Sequence, residues 1–186
     1  MVKTPVSRMA RWAAVALIAA STGCGYTNRS MLPEHIRTIH VLPVANGIDL
    51  SREISHKERF RVYRPGLEVD VTNALVNRFI FDGTLKVVSS PDKADSILEA
   101  KLIDYRRDPL RYNDSEEVQE YRLNIVLDVT LRENGPGGKV LWHSAQLTGD
   151  TTFYLSGSRA VSEDEALVKV IEDVARRVVE STVEVW

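Results

Sequence analysis

From residue 118 to residue 132 the chain alternates between apolar and polar at nearly every step. Tyr121, Leu123, Ile125, Leu127, Val129 and Leu131 are interleaved with Arg122, Asn124, Val126, Asp128, Thr130 and Arg132. Successive side chains on a strand point to opposite faces, so this period of two predicts a long strand with one buried and one largely polar face, as in antiparallel sheets. NGPGG at residues 134–138 supplies a turn, and residues 139–154 form the returning strand of a long hairpin.

The β-branched run IRTIHVLPV at residues 36–44 predicts a first strand. Pro43 suits an edge or terminal position there, because proline cannot donate to a ladder. Residues 46–64 are charged and aperiodic, which predicts a long surface loop. Helical spacing then takes over. Leu67, Val71, Ala74, Leu75 and Phe79 share one face of a helix that begins near Pro65 and stops at Asp82-Gly83, glycine being suited to a left-handed helix end. Residues 85–89 and 96–105 predict two more strands, the second with Leu98, Ala100 and Leu102 on one face and an end marked by Pro109. The last element is a helix opened by a capping box of Ser162 and Glu165, with Glu163, Asp164 and Glu165 at the positive end of its dipole. Leu167, Val170, Ile171, Val174 and Val178 line its apolar face. Two amphipathic helices and a sheet with one apolar face predict an α+β fold: a two-layer sandwich, its sheet mostly antiparallel, with both helices on one face in a single domain over residues 36–186.

The N-terminus has another pattern. Lys3, Arg8 and Arg11 precede the apolar stretch WAAVALIAA at residues 12–20, then Ser21, Thr22, Gly23 and Cys24. This stretch falls well short of the roughly 20 residues a membrane-spanning helix needs. It predicts a removable secretory signal over residues 1–23, followed by a polar tether over residues 24–35. Cys24 is the only cysteine, which excludes an intramolecular disulfide and a two-cysteine metal site. Its place after small residues resembles a bacterial lipobox, with Ser21 where leucine is usual, and implies a lipid-modified Cys24; Gly25 in the next position implies the outer membrane. The signal holds three positive charges and no acid, so its removal makes a chain of formal charge −2 more acidic. That balance argues against general nucleic-acid binding, which needs clustered positive charge.

One ordered series of segments resembles the LPS-assembly lipoprotein family LptE. It runs through GCGY around Cys24, LPEHIRTIHVLPVAN at 32–46, PGLEVDVTNAL at 65–75 and FIFDGTLKVV at 79–88. ADSILEAKLIDYRRDPLRY at 94–112, EYRL at 120–123 and VLW at 140–142 complete it. The loop at residues 47–64 is longer than that pattern leads one to expect. The resemblance implies a non-catalytic outer-membrane lipoprotein without a cofactor. It would act as plug and assembly partner of the LPS-translocon β-barrel, LptD, and assist insertion of lipopolysaccharide. The alternative is an envelope lipoprotein serving as auxiliary subunit of a different lipid-transport machine.

Lipopolysaccharide carries phosphates, and arginine meets phosphate through a planar fork of donors. Arg106, Arg107 and Arg111 are the densest candidates, expected at a rim of the sheet because Pro109 stands among them; Arg122 and Arg132 on the polar strand face are alternates. The competing reading is a solvated loop whose arginines pair with Asp104, Asp108 or Asp114. Little points to an enzyme or a metal site. His35, His40, His56 and His143 are scattered without ligand spacing, and Glu116-Glu117 reads as a solvated turn. Gly83 and Gly137-Gly138 lie in no phosphate-binding pattern. Trp142 reads as hairpin packing, and Tyr105 and Tyr112 as cover for a core edge.

Overall fold

A computed structural model describes residues 32–48 and 64–183. Cys24, the signal and most of the 46–64 loop lie outside the described residues.

The chain opens with β1 (Thr38–Val41), which stops before Pro43, and the two-residue β2 (Ala45–Asn46). Helix α1 (Leu67–Asp82) follows, buried through Leu67, Val71, Leu75 and Phe79. Gly83 ends it at φ 75°, its N–H bonded to the Phe79 carbonyl. After β3 (Lys86–Val87) and a 3₁₀ turn at Pro91–Lys93 come three long strands, β4 (Ser96–Tyr112), β5 (Val118–Glu133) and β6 (Val140–Tyr154). Helix α2 (Glu163–Val183) closes the described chain. Ser162 Oγ accepts the Glu165 N–H at 3.1 Å, as the capping signal predicts, while the Glu165 carboxylate turns to Lys169 Nζ at 2.8 Å.

The six strands form one sheet in the order β3-β1-β4-β5-β6, with β2 beside β4. The expectation of a mostly antiparallel sheet is corrected: the sheet is mixed. β1 is parallel to both β3 and β4, and β2 is parallel to β4; only β4-β5 and β5-β6 are antiparallel. The physical reason is the connection. A hairpin reverses the chain, whereas the α1 crossover between β1 and β3 carries it back to the same end, and strands joined that way run parallel.

The two layers follow the expectation. Both helices lie on one face of the sheet, α1 over β1 and β3, α2 over β5 and β6, and they pack against each other. The alternating residues Leu123, Ile125, Leu127, Val129 and Leu131 have no exposure, and Leu167, Val170, Val174 and Val178 of α2 meet them in one core. Trp142 packs against that core, as expected of a hairpin residue. Gly149 allows the close approach of α2: a Cβ there would lie 2.5 Å from the Val174 Cβ. At the same point the Asp150 N–H, on the outer edge of β6, donates to Asp173 Oδ2 at 3.0 Å, and Arg177 bridges Asp150 and Asp173 at 2.9 and 2.7 Å. The helix thereby covers part of an edge that would otherwise offer backbone groups to another chain.

Candidate functional site

The arginine segment lies inside a strand, and Pro109 does not end it. β4 runs through Pro109 to Tyr112, with Pro109 opposite Tyr121. The parity of the ladder explains this. Leu98 and Leu102 offer their carbonyls away from β5, to the Leu42 and Gly47 N–H groups. A bulge between Leu102 and Asp104 shifts the phase by one residue, so Tyr105, Arg107 and Pro109 inherit that orientation. The position of the missing proline N–H therefore faces away from the ladder, where proline is tolerated.

Two register shifts divide the three candidate arginines: the bulge after Leu102 sets the phase of Arg106 and Arg107, and a second between Pro109 and Arg111 turns Arg111 to the open face. Tyr105 pairs with Ile125 and Arg107 with Leu123, so both point to the helix-covered face. Arg106 pairs with Asn124 and Arg111 with Glu120, on the open face. Arg107 spans the end of the core. Its Nη1 donates to Glu163 Oε2 at 2.6 Å, its guanidinium carbon lies 4.8 Å from the Tyr121 ring centre, and Tyr121 stacks on Phe153 at 5.8 Å. Tyr105 Oη donates to Glu163 Oε1 at 3.3 Å. Burial, reinforced by the Glu163 charge, pushes the Tyr105 hydroxyl up to about 12. Tyr105 covers the core edge as expected, whereas Tyr112 is 57% exposed.

On the open face Arg106 is held between two carboxylates, Nε to Asp108 Oδ2 at 3.1 Å and Nη1 to Asp104 Oδ2 at 2.9 Å. Burial works against its charge, and the bonds to Asp108 and Asp104 outweigh that effect, raising its pKa above the ordinary arginine value. Asn124 Nδ2 adds a bond to Asp108 at 2.8 Å. Arg111 Nε sits 2.9 Å from Glu120 Oε2; the glutamate is buried, while the arginine side chain is 66% exposed. Arg122 stands opposite Asp108 in register and is exposed. Farther along, His143 Nε2 donates to Asp128 Oδ1 at 3.0 Å, and Arg132 pairs with Glu99.

The site therefore differs from a loop of three neighbouring arginines. Arg106, Arg111 and Arg122 share the open face with Asp104, Asp108 and Glu120, giving three charges of each sign. Pairing of Arg106 with Asp104 and Asp108 agrees with the competing expectation, although in a strand and not a loop. Arg132 lies near the far end, where β5 gives way to the turn. Glu120 was missed as a partner: Pro109 pairs with Tyr121, so unbroken alternation would set Leu110 against Glu120, and a second register shift between Pro109 and Arg111 brings Arg111 there instead. A local charge near zero makes this face a poor trap for free anions and a good solvated surface for a polar wall.

The described histidines each have a local acceptor: His35 bonds Glu133 at 2.9 Å, His40 Nδ1 the Val88 carbonyl at 2.9 Å, and His143 Asp128. His56 lies outside the described residues. Among the described residues no group of histidine, cysteine and acids is placed to hold a metal. No described helix is long and apolar enough to cross a membrane. An open groove of about 910 Å³ separates the outer surfaces of α1 and α2. Its walls mix Arg78, Arg176 and Lys169 with Asp70, Glu172 and Asp173.

No curated protein sequence matches the chain. Among solved structures, CT253 of Chlamydia trachomatis is similar at 12% identity and a TM-score of 0.48, over 79% of this chain and 98% of that one. The PelC dodecamer subunit of Paraburkholderia phytofirmans gives 13% and 0.47, over 84% and 95%. Rare lipoprotein B of Shewanella oneidensis gives 17% and 0.40, over 76% and 92%. The sequence itself is more specific: residues 36–182 match the family described as LptE, lipopolysaccharide-assembly. The match spans both helices almost entirely and every strand of the sheet, and by it the chain belongs to the LptE family of lipopolysaccharide-assembly proteins.

Proposed function

We propose that this chain is a non-catalytic outer-membrane lipoprotein. In this reading residues 1–23 are a cleaved signal, Cys24 carries the lipid, residues 24–35 are the tether, and residues 36–186 form one domain on the periplasmic side. That domain plugs and helps assemble an LptD-like β-barrel and assists insertion of lipopolysaccharide. The observation that carries the reading, beside family membership, is the open sheet face. Neither helix covers it, and it presents paired charges instead of an apolar surface. Transmembrane barrel interiors are polar, so a plug must present a surface of this kind to avoid burying unpaired charge.

Within this reading, lipopolysaccharide contact belongs to the open face. Arg111 has most of its side chain in solvent and can turn to a phosphate, whereas Arg107 is committed to Glu163. Arg106 shares the open face with Arg111 and is already bonded to two carboxylates.

The test is affinity purification of the tagged chain from detergent-solubilised membranes. Co-purification of a large β-barrel protein is expected. Recovery of an inner-membrane transporter with no barrel overturns the reading in favour of another lipid-transport machine. For the contact residues, the Arg111→Ala variant is expected to bind lipopolysaccharide several-fold more weakly while remaining folded; unchanged binding removes Arg111 from the site.

A further inference from the structure

The large apolar side chains left exposed are not spread evenly. Phe81, at 79%, and Ile80, at 62%, are the two most exposed of those described, and they are neighbours in the last turn of α1. Arg78, one turn earlier, places its guanidinium carbon 5.3 Å from the Phe81 ring centre. A helix that has already buried Leu67, Val71, Leu75 and Phe79 against the sheet gains nothing within this fold from a further Ile-Phe pair facing outward.

The topology identifies which end of the molecule this is. α1 ends at Asp82, four residues before Lys86, and Lys86 lies beside Thr38 at the start of β1. The Lys86 N–H donates to the Arg37 carbonyl. Asp95, just before β4, accepts the Arg37 and Thr38 N–H groups, and Asn134 of the β5-β6 turn reaches the Pro91 and Ala94 carbonyls. The chain therefore enters the fold at the end where α1 finishes. Leu32, the first described residue, packs against the core there. Cys24 is eight residues earlier, at most about 29 Å of extended chain. The other end of the sheet, with the exposed Tyr112, lies a strand length away from Ser96, about 50 Å for the 17 residues of β4. A tether of the available length brings the entry end, and not the Tyr112 end, against the membrane that holds it.

We propose that the C-terminal turn of α1 is a membrane-contact site: Ile80 and Phe81 seat in the interfacial layer of the bilayer that anchors Cys24, with Arg78 alongside at headgroup level. An aromatic ring favours that layer, and an arginine extends its charged head to water and phosphate while its stem covers apolar surface. Arg37, Lys86, Lys93 and Lys139 stand exposed around the same end, alongside Glu34, Asp82, Asp92 and Glu133, so its fringe offers charges of both signs to lipid headgroups. The contact fixes the orientation of the domain, which a flexible tether alone leaves free. This inference rests on the anchor proposed at Cys24 and concerns the anchored domain before a barrel encloses it.

The experiment uses the full chain purified from bacterial membranes. It is reconstituted in vesicles of phosphatidylethanolamine and phosphatidylglycerol with a fraction of phosphatidylcholine brominated in its acyl chains. Tryptophan is introduced singly as Phe81→Trp, Ile80→Trp or Tyr112→Trp, and the wild-type fluorescence is subtracted. Bromolipid is expected to quench the tryptophans at positions 80 and 81 at least threefold more than the one at position 112. Equal or reversed quenching, or failure of the protein to associate with the vesicles, overturns the proposal. Two variants at the site keep the result readable if one misfolds. The intact mass of each sample reports acylation of Cys24 separately, so loss of the anchor reading and loss of the contact site give different results.

Discussion

The two faces of β5 are built from alternate residues of one strand and are held by different forces. On the covered face Leu123, Ile125, Leu127, Val129 and Leu131 have no exposure and meet α2 in the core. On the open face the same strand contributes Glu120, Arg122, Asn124, Asp128 and Arg132, whose described partners are carboxylates, a histidine and an arginine across the neighbouring strands. Burial of apolar area stabilises by roughly 25 cal/mol per Å², whereas exposed ion pairs contribute at most about 1 kcal/mol each. Stability thus belongs to the covered face. The exposed charges of the open face, buried Glu120 apart, can vary at little cost, which suits a surface selected for what it meets.

The sharpest way to break this comparison is to empty the covered face. Leu127→Ala is expected to destabilise by about 2–5 kcal/mol, measured by denaturant unfolding, because the cavity adds to the lost burial. Filling it should also cost. Gly149→Ala forces a Cβ onto Val174, and overpacking of this kind costs about 1–3 kcal/mol. A smaller Tm change than that of a surface alanine control would show that α2 is not pinned at this point.

A third prediction concerns the edge that joins the two faces. Burial alone would raise the Asp173 pKa, but the Asp150 N–H and the charges of Arg176 and Arg177 win and lower it below the ordinary 3.8. A lowered pKa means that the carboxylate stabilises the fold above about 3.8, and that this contribution is lost as pH falls below that value. Asp173→Asn should therefore be less stable than the parent at pH 7, with the gap closing as unfolding is repeated toward pH 3. A gap independent of pH would assign the effect to packing. The smallest effect belongs to the open face. Arg106→Ala, which removes two partly exposed ion pairs, should change stability by less than about 1 kcal/mol. A loss as large as that of Leu127→Ala would erase the distinction between the faces.

Particular residues show what was legible beforehand. The alternation in β5, the helical spacing of Leu67 to Phe79, the glycine stop at Gly83 and the Ser162 cap each have a local cause, and each appears where the spacing places it. Arg106, Arg107 and Arg111 illustrate the opposite case. Closeness in sequence suggested one cluster, but adjacent strand residues face opposite ways, and the register shifts after Leu102 and after Pro109 decide which of them joins the core. Pro109 misled for a related reason: proline ends a strand only where its N–H is needed, and that depends on which neighbour lies on which side.

By itself, then, the sequence determined the elements, the apolar faces that hold them together, the family and the expectation of a lipid at Cys24. Each of these depends on residues within a few turns or steps of one another, or on an ordered series along the chain. Only the tertiary structure decided that the sheet is mixed, that the arginines are divided between two faces, and that Ile80 and Phe81 stand at the end where the described chain enters the sheet. Those facts depend on strand direction and ladder parity, which are set by contacts between segments far apart in sequence and leave no local pattern.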